Sequence, residues 1–204
     1  AEPNYLAFIE FYDEDFAWRY TPARPVGDHL RPWIFLLVLK KEEFERDDRR
    51  LPLPVITIKN KLALPPSNET SLFAHVHTQQ EIPGSELSDL EEYLLSLQKT
   101  ITTDPDQIYC RLLSPRHLEP NTTYQAFLVP TFEAGRLVGL GKSTAGVPAQ
   151  KPAWDATTTG VDLPFYFDWE FSTGEKQDFE SLVKLLEPRQ LDPKIGVRSM
   201  DCTH

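Results

Sequence analysis

Eighteen prolines set against nine glycines impose the tightest limit on what this chain can become. Proline lacks an amide hydrogen and fixes φ, so it breaks helix interiors and is confined in sheets to edges, ends and bulges. A chain of 204 residues interrupted that often must build short regular elements joined by long, stiffened connections. The length suffices for one large domain with a real hydrophobic core. The reading is therefore a single β-rich domain over residues 1–204, with a sub-boundary near 80–105 as the one internal division to look for.

Charge removes whole classes of partner. The formal net charge is −10 and the isoelectric point lies near 5.0. That excludes the basic stripe a nucleic-acid-binding surface needs, and it disfavours anionic membranes. No apolar run approaches the roughly 20 residues that span a bilayer. The longest, Trp33 to Leu39, has the length of a buried strand. Ala1-Glu2-Pro3 opens no secretory signal pattern. The ends, without an initiator Met and stopping at Met200-Asp-Cys-Thr-His204, lead to the expectation of a segment of a longer chain. Cys110 and Cys202 are too few for a disulfide framework and read as buried or idle thiols in a reducing compartment.

Periodicity predicts an α+β, β-dominated fold of about eight short strands with two amphipathic helices and long proline-rich loops. Residues 5–12, 33–39, 53–58, 72–77, 107–113 and 124–132 carry strand signals, with Pro130 favouring an edge or a bend. The apolar run 33–39 fits a central strand covered on each side. Lys40 to Arg50 reads as a charged loop or solvated edge, and Gly135 as a hairpin turn into a strand over 136–140. In 163–171, Phe165, Phe167, Trp169 and Phe171 alternate with Tyr166, Asp168 and Glu170, the clearest two-residue period in the chain. Leu87, Leu90, Leu94 and Leu97, with Tyr93 beside them, predict a helix capped at Ser85 or Ser88. Asp178 begins a second helix, which Pro188 ends. Residues 141–163 read as a long exposed loop.

Several constellations could carry chemistry. His75 and His77 flank Val76 on a strand, so both rings project from one face as two metal ligands would. No third ligand stands at a recognisable offset, and histidines bonded within a wall or interface are the preferred reading. Cys110 could pair with a distant histidine as a nucleophile, yet it sits in an apolar strand where thiols are inert packing. Asp168 and Glu170 share a strand face, a pattern open to a glycoside-hydrolysing or carbohydrate-binding domain, but alternating carboxylates are usually the wet side of an amphipathic strand. Gly139-Leu-Gly-Lys-Ser143 lacks the first glycine of a phosphate-binding loop. The expected catalytic, cofactor-binding and metal residues are therefore none, and the chain is read as a non-enzyme without a small-molecule substrate. Trp18-Arg-Tyr20, Arg31-Pro-Trp33, Arg116 and Trp154 are the residue types that anchor protein interfaces. Trp33 and Trp169 are assigned to the core, and Trp154 to a contact surface.

Five stretches together resemble a known group: WRYTP at 18–22, RPWIFLLVL at 31–39, FAHVH at 73–77, residues 110–141 and residues 163–189. The chain resembles uncharacterised structural proteins associated with bacterial extracellular contractile injection systems, the phage-tail-like particles, and in them the amino-terminal region of a longer polypeptide. The resemblance implies a structural part of the baseplate, its periphery or the cap, held by contacts with baseplate, tube, sheath or cap proteins. It implies a cytoplasmic assembly, with release as part of an extracellular particle also open. It carries over no catalytic residue.

Overall fold

A computed structural model describes residues 6–22, 29–48, 52–79, 90–155 and 160–174. The helix caps Ser85 and Ser88, Leu87, the helix over 178–188 and Cys202 lie outside the described residues. Two units divide the chain, Ala1–Thr173 and Gly174–His204; the architecture below is that of the first.

Among the described residues nine strands form three small antiparallel sheets, so the α+β, β-dominated fold is the observed one. The middle layer pairs β2 (Ile34–Leu39), β7 (Thr123–Pro130) and β9 (Phe167–Ser172), with β7 in the centre. A second sheet orders β1 (Phe8–Phe11), β6 (Ile108–Leu113) and β5 (Ala74–Thr78). A third orders β3 (Phe44–Asp47), β4 (Val55–Ile58) and β8 (Asp162–Pro164). Two apolar clusters separate the layers. Phe35, Leu37, Leu39, Phe127 and Val129 meet Ile56, Ile58 and Leu163 on one side of the middle sheet. Ile34, Leu36, Val38, Ala126 and Leu128 meet Ala74, Cys110 and Leu112 on the other. This explains why all six residues of β2 are buried: alternate side chains enter different cores. The strand is covered on both faces, as its composition predicts, although it lies at the edge of its ladder and β7 holds the centre.

Pro130 sits in that central strand and not on an edge strand. It is tolerated because it is the last residue of β7, opposite Ile34 at the start of β2, where pairing ends. The hairpin expected at Gly135 is instead a short helix, α2 (Glu133–Gly139). Arg136 N–H donates to Phe132 O at 3.0 Å and Leu140 N–H to Arg136 O at 3.0 Å, so local helical bonds replace a strand ladder. The Glu133–Arg136 ion pair, 2.6 Å at (i, i+3), spans the same turn. Gly139 is required by the approach of this helix to β8: a Cβ there would lie 2.5 Å from Pro164 Cγ.

The loop over 141–163 is not simply exposed. Its residues Ala153, Trp154 and Val161 fold back into the first core, and Leu163 lies in β8. Trp154 is 3% exposed, and its Nε1–H donates to Pro65 O at 2.8 Å. The assignment of Trp154 to a contact surface is therefore corrected: the large indole finds both an apolar pocket and an acceptor inside. Lys40 to Asp48 forms a 3-10 turn (Lys41–Glu43) and then the edge strand β3, the solvated edge its charges suggest.

The strand signal over 163–171 divides at Phe165 and Tyr166 into β8 and β9. As a result Phe165 enters the first core, while Trp169 and Phe171 pack against the second. Only Phe167, Trp169 and Phe171 keep the expected alternation.

Candidate interaction surface

The sheet of β1, β6 and β5 buries one face, where Ile9, Phe11, Cys110 and Leu112 contribute to the second core. Strand alternation turns Phe8, Glu10, Tyr109, Arg111, His75 and His77 to the opposite face. Register aligns Glu10, Arg111 and His75 across the three strands and places His77 opposite Tyr109. Arg111 is the hub. Its Nε–H donates to Glu10 Oε1 at 3.0 Å, and its guanidinium lies 4.7 Å from the Phe8 ring centroid and 5.5 Å from that of Tyr109. The His77 ring stacks on Tyr109 at 5.4 Å with 13° between planes. Phe8 remains 51% exposed, so its ring stands out beside the half-buried guanidinium and phenol.

His75 and His77 do share this face, with ring centroids 6.1 Å apart and planes inclined by 64°. His75 Nε2 lies 2.9 Å from Leu72 O, a bond that engages that nitrogen. Among the described residues no group of three or more His, Cys, Asp or Glu side chains gathers as a metal site requires. His77 Nε2 is buried without a partner. Burial foremost, then the Arg111 charge and His75, hold the His77 pKa below its ordinary value, and Glu10 opposes them. Neutral His77 is thus the form the fold accepts. Its contribution is complete above the unfolded value of about 6.5 and is lost as pH falls through the folded one. The thermal midpoint should fall from pH 7.5 to pH 5, and His77→Gln should remove part of that fall. An unchanged pH dependence in the variant would show that His77 does not carry it.

The helix α1 (Leu90–Thr103) supplies a second surface. Its apolar positions recur as the sequence predicts, and it continues past Leu97 to Thr103. Thr100, Thr102 and Thr103 hydroxyls donate to carbonyls four residues earlier, and Pro105 stops the helix. None of its fourteen residues is buried. Leu90, Leu94 and Leu95 are 62%, 51% and 63% exposed. An amphipathic helix normally spends its apolar face on a core; here Tyr93, Leu97 and Ile101 are half-buried while Leu90, Leu94 and Leu95 stand exposed.

The remaining sequence candidates are placed elsewhere. Cys110 is fully buried in β6, and burial pushes its thiol pKa up, away from the reactive thiolate. Asp168 accepts from Arg46 Nη1 at 2.5 Å and from Gln125 Nε2 at 2.6 Å, so its carboxylate ties β9 to β3 and β7. Glu170 is exposed on β9, opposite Gln125. Gly139 to Ser143 closes α2 and opens no helix. Trp33 bridges loops, donating its Nε1–H to Phe16 O at 2.7 Å and meeting Phe16, Tyr20 and Tyr166 edge to face. The cluster around Arg111 has no local sequence signal, because its members are brought together only by the register of β1, β6 and β5.

No family model, no curated protein and no solved structure matches this chain.

Proposed function

We propose that this chain is a structural subunit of a contractile injection apparatus, placed at the baseplate, its periphery or the cap, and working through protein–protein contacts. The observation that carries the reading is the exposed trio Leu90, Leu94 and Leu95 on α1, a helix with no fully buried residue. Isolated helices of this length are marginal in water and gain their stability from packing. A contiguous exposed apolar surface on a folded domain is the usual mark of a docking site. The Phe8–Arg111–Tyr109 array adds the residue types enriched at interface centres. The resemblance of residues 110–141 and 163–189 supports the kind of assembly.

The test separates folding from docking. Because Leu94 is exposed, Leu94→Lys should change stability by no more than about 0.5 kcal/mol. The variant should nonetheless fail to enter particles that incorporate the wild-type chain, as read by its co-purification with sheath, tube and baseplate proteins. Absence of the wild-type chain from intact particles would overturn the proposal.

A further inference from the structure

Arg31 differs from every other described arginine. Arg19, Arg46, Arg111, Arg116 and Arg136 each hold a carboxylate. Arg31 holds none among the described residues, in a chain with 31 acidic side chains to choose from. Its guanidinium stacks 5.3 Å from the centroid of buried Phe132, and Nη1–H donates to Gln150 O at 3.2 Å. That bond uses one of the five N–H donors a guanidinium offers. Burial lowers its pKa, and no neighbouring charge opposes the shift. A partly buried cation ordinarily has a counter-charge, because removal from water costs more than neutral hydrogen bonds return.

Arg31 also borders a small recess of about 70 Å³, the volume of about two water molecules. Thr21, Pro22, His29, Asn68, Ser71 and Phe132 line it with Arg31 and Gln150, and none of its described lining residues is acidic. Hydroxyl, amide and imidazole are all capable donors. The recess thus sets Ser71, Asn68 and His29 beside a planar cation, with no negative charge among its described lining residues.

We propose that this recess binds one oxyanion of the carboxylate or phosphate class, held by the Arg31 guanidinium with Ser71, Asn68 and His29 beside it. The planar fork of arginine matches two oxygens of such a group, and charge-assisted pairs of this kind are among the strongest hydrogen bonds proteins make. The size admits a single group, as a free small anion or as the end of an acidic side chain of a bound protein. The proposal stands apart from the docking role of α1 and survives if that role fails.

The full chain would be titrated with sodium phosphate and, separately, with N-acetyl-glutamate amide, at ionic strength held constant with chloride. The readouts are the thermal midpoint and the Nε–H resonance of Arg31. A saturable response to at least one probe is expected, weakened at least tenfold by Arg31→Met. That variant keeps an apolar stem against Phe132 and should match the wild-type midpoint without added anion, or exceed it. A response to the glutamate probe alone assigns the site to protein carboxylates; a response to phosphate alone assigns it to a free anion. If Arg31→Met does not fold, a saturable shift of the wild-type Arg31 resonance, absent with chloride, decides for the proposal. No saturable response to either probe, or an equal response in a folded Arg31→Met, overturns it.

Discussion

Replacing Phe127 with alanine is expected to cost about 3–5 kcal/mol, the range for a large aromatic removed from a well-packed core. Phe127 lies on the central strand of the middle sheet and is fully buried. Its ring meets Phe44 at 5.0 Å and Phe165 at 5.1 Å, both edge to face. Those partners come from β3 and from the kink between β8 and β9, so one truncation opens a cavity where three segments converge. The strands around it are held by their ladders and can collapse only partly, which places the loss toward the upper end of the range. Urea unfolding followed by tryptophan fluorescence would measure it. A loss under about 1 kcal/mol would mean that the first core does not depend on this ring.

The second large effect concerns Glu43 and Arg116. Arg116 Nη1–H and Nη2–H donate to the two Glu43 oxygens at 2.5 and 3.0 Å, and Nη1–H also reaches Val38 O at 3.3 Å. Glu43 Oε2 accepts in addition from Lys40 N–H at 2.7 Å. The side chains are 13% and 21% exposed, so most of the screening that weakens surface pairs is absent. Glu43→Leu leaves the guanidinium facing a carbonyl and the Tyr124 ring without its counter-charge. A loss of about 2–3 kcal/mol follows, the range for a charged hydrogen-bond partner left behind. Adding Arg116→Met should restore part of that loss, since removing both charges avoids the unpaired one. A double-mutant cycle by chemical denaturation checks both statements. If the double variant is less stable than Glu43→Leu alone, the pair does not behave as a buried couple.

Much of the fold was legible in local patterns. The continuous apolar run at 33–39 reads as a strand covered on both faces, and residues 34–39 of it are buried throughout. Alternation over 167–171 and helical spacing from Leu90 are likewise properties of neighbouring residues, which any window of the chain contains. The errors arose where distant residues decide. Gly135 suits a turn in sequence, but the close seat of α2 against Pro130 and Pro164 makes it part of a helix. Trp154 looks like an interface anchor in a polar, proline-flanked loop. A carbonyl at Pro65, 89 residues away, gives its indole N–H an interior partner.

The same division applies to the candidate surfaces. The apolar spacing of α1 could be read from sequence, but the exposure of Leu90, Leu94 and Leu95 could not, because burial depends on what else packs nearby. Arg31 stands out in sequence only as one of several arginines beside proline and tryptophan. Its lack of a carboxylate emerges when five other arginines are seen to hold theirs.

Eighteen prolines by themselves determined that this protein would be built from short strands and long connections, because each one removes a donor and fixes a dihedral wherever it stands. Where those prolines fall was decided by tertiary structure. Pro130 closes the central strand, Pro164 receives the helix α2, and Pro65 offers the carbonyl that holds Trp154. Each of these roles is a contact between segments remote in sequence, and its energy exists only once the layers have packed.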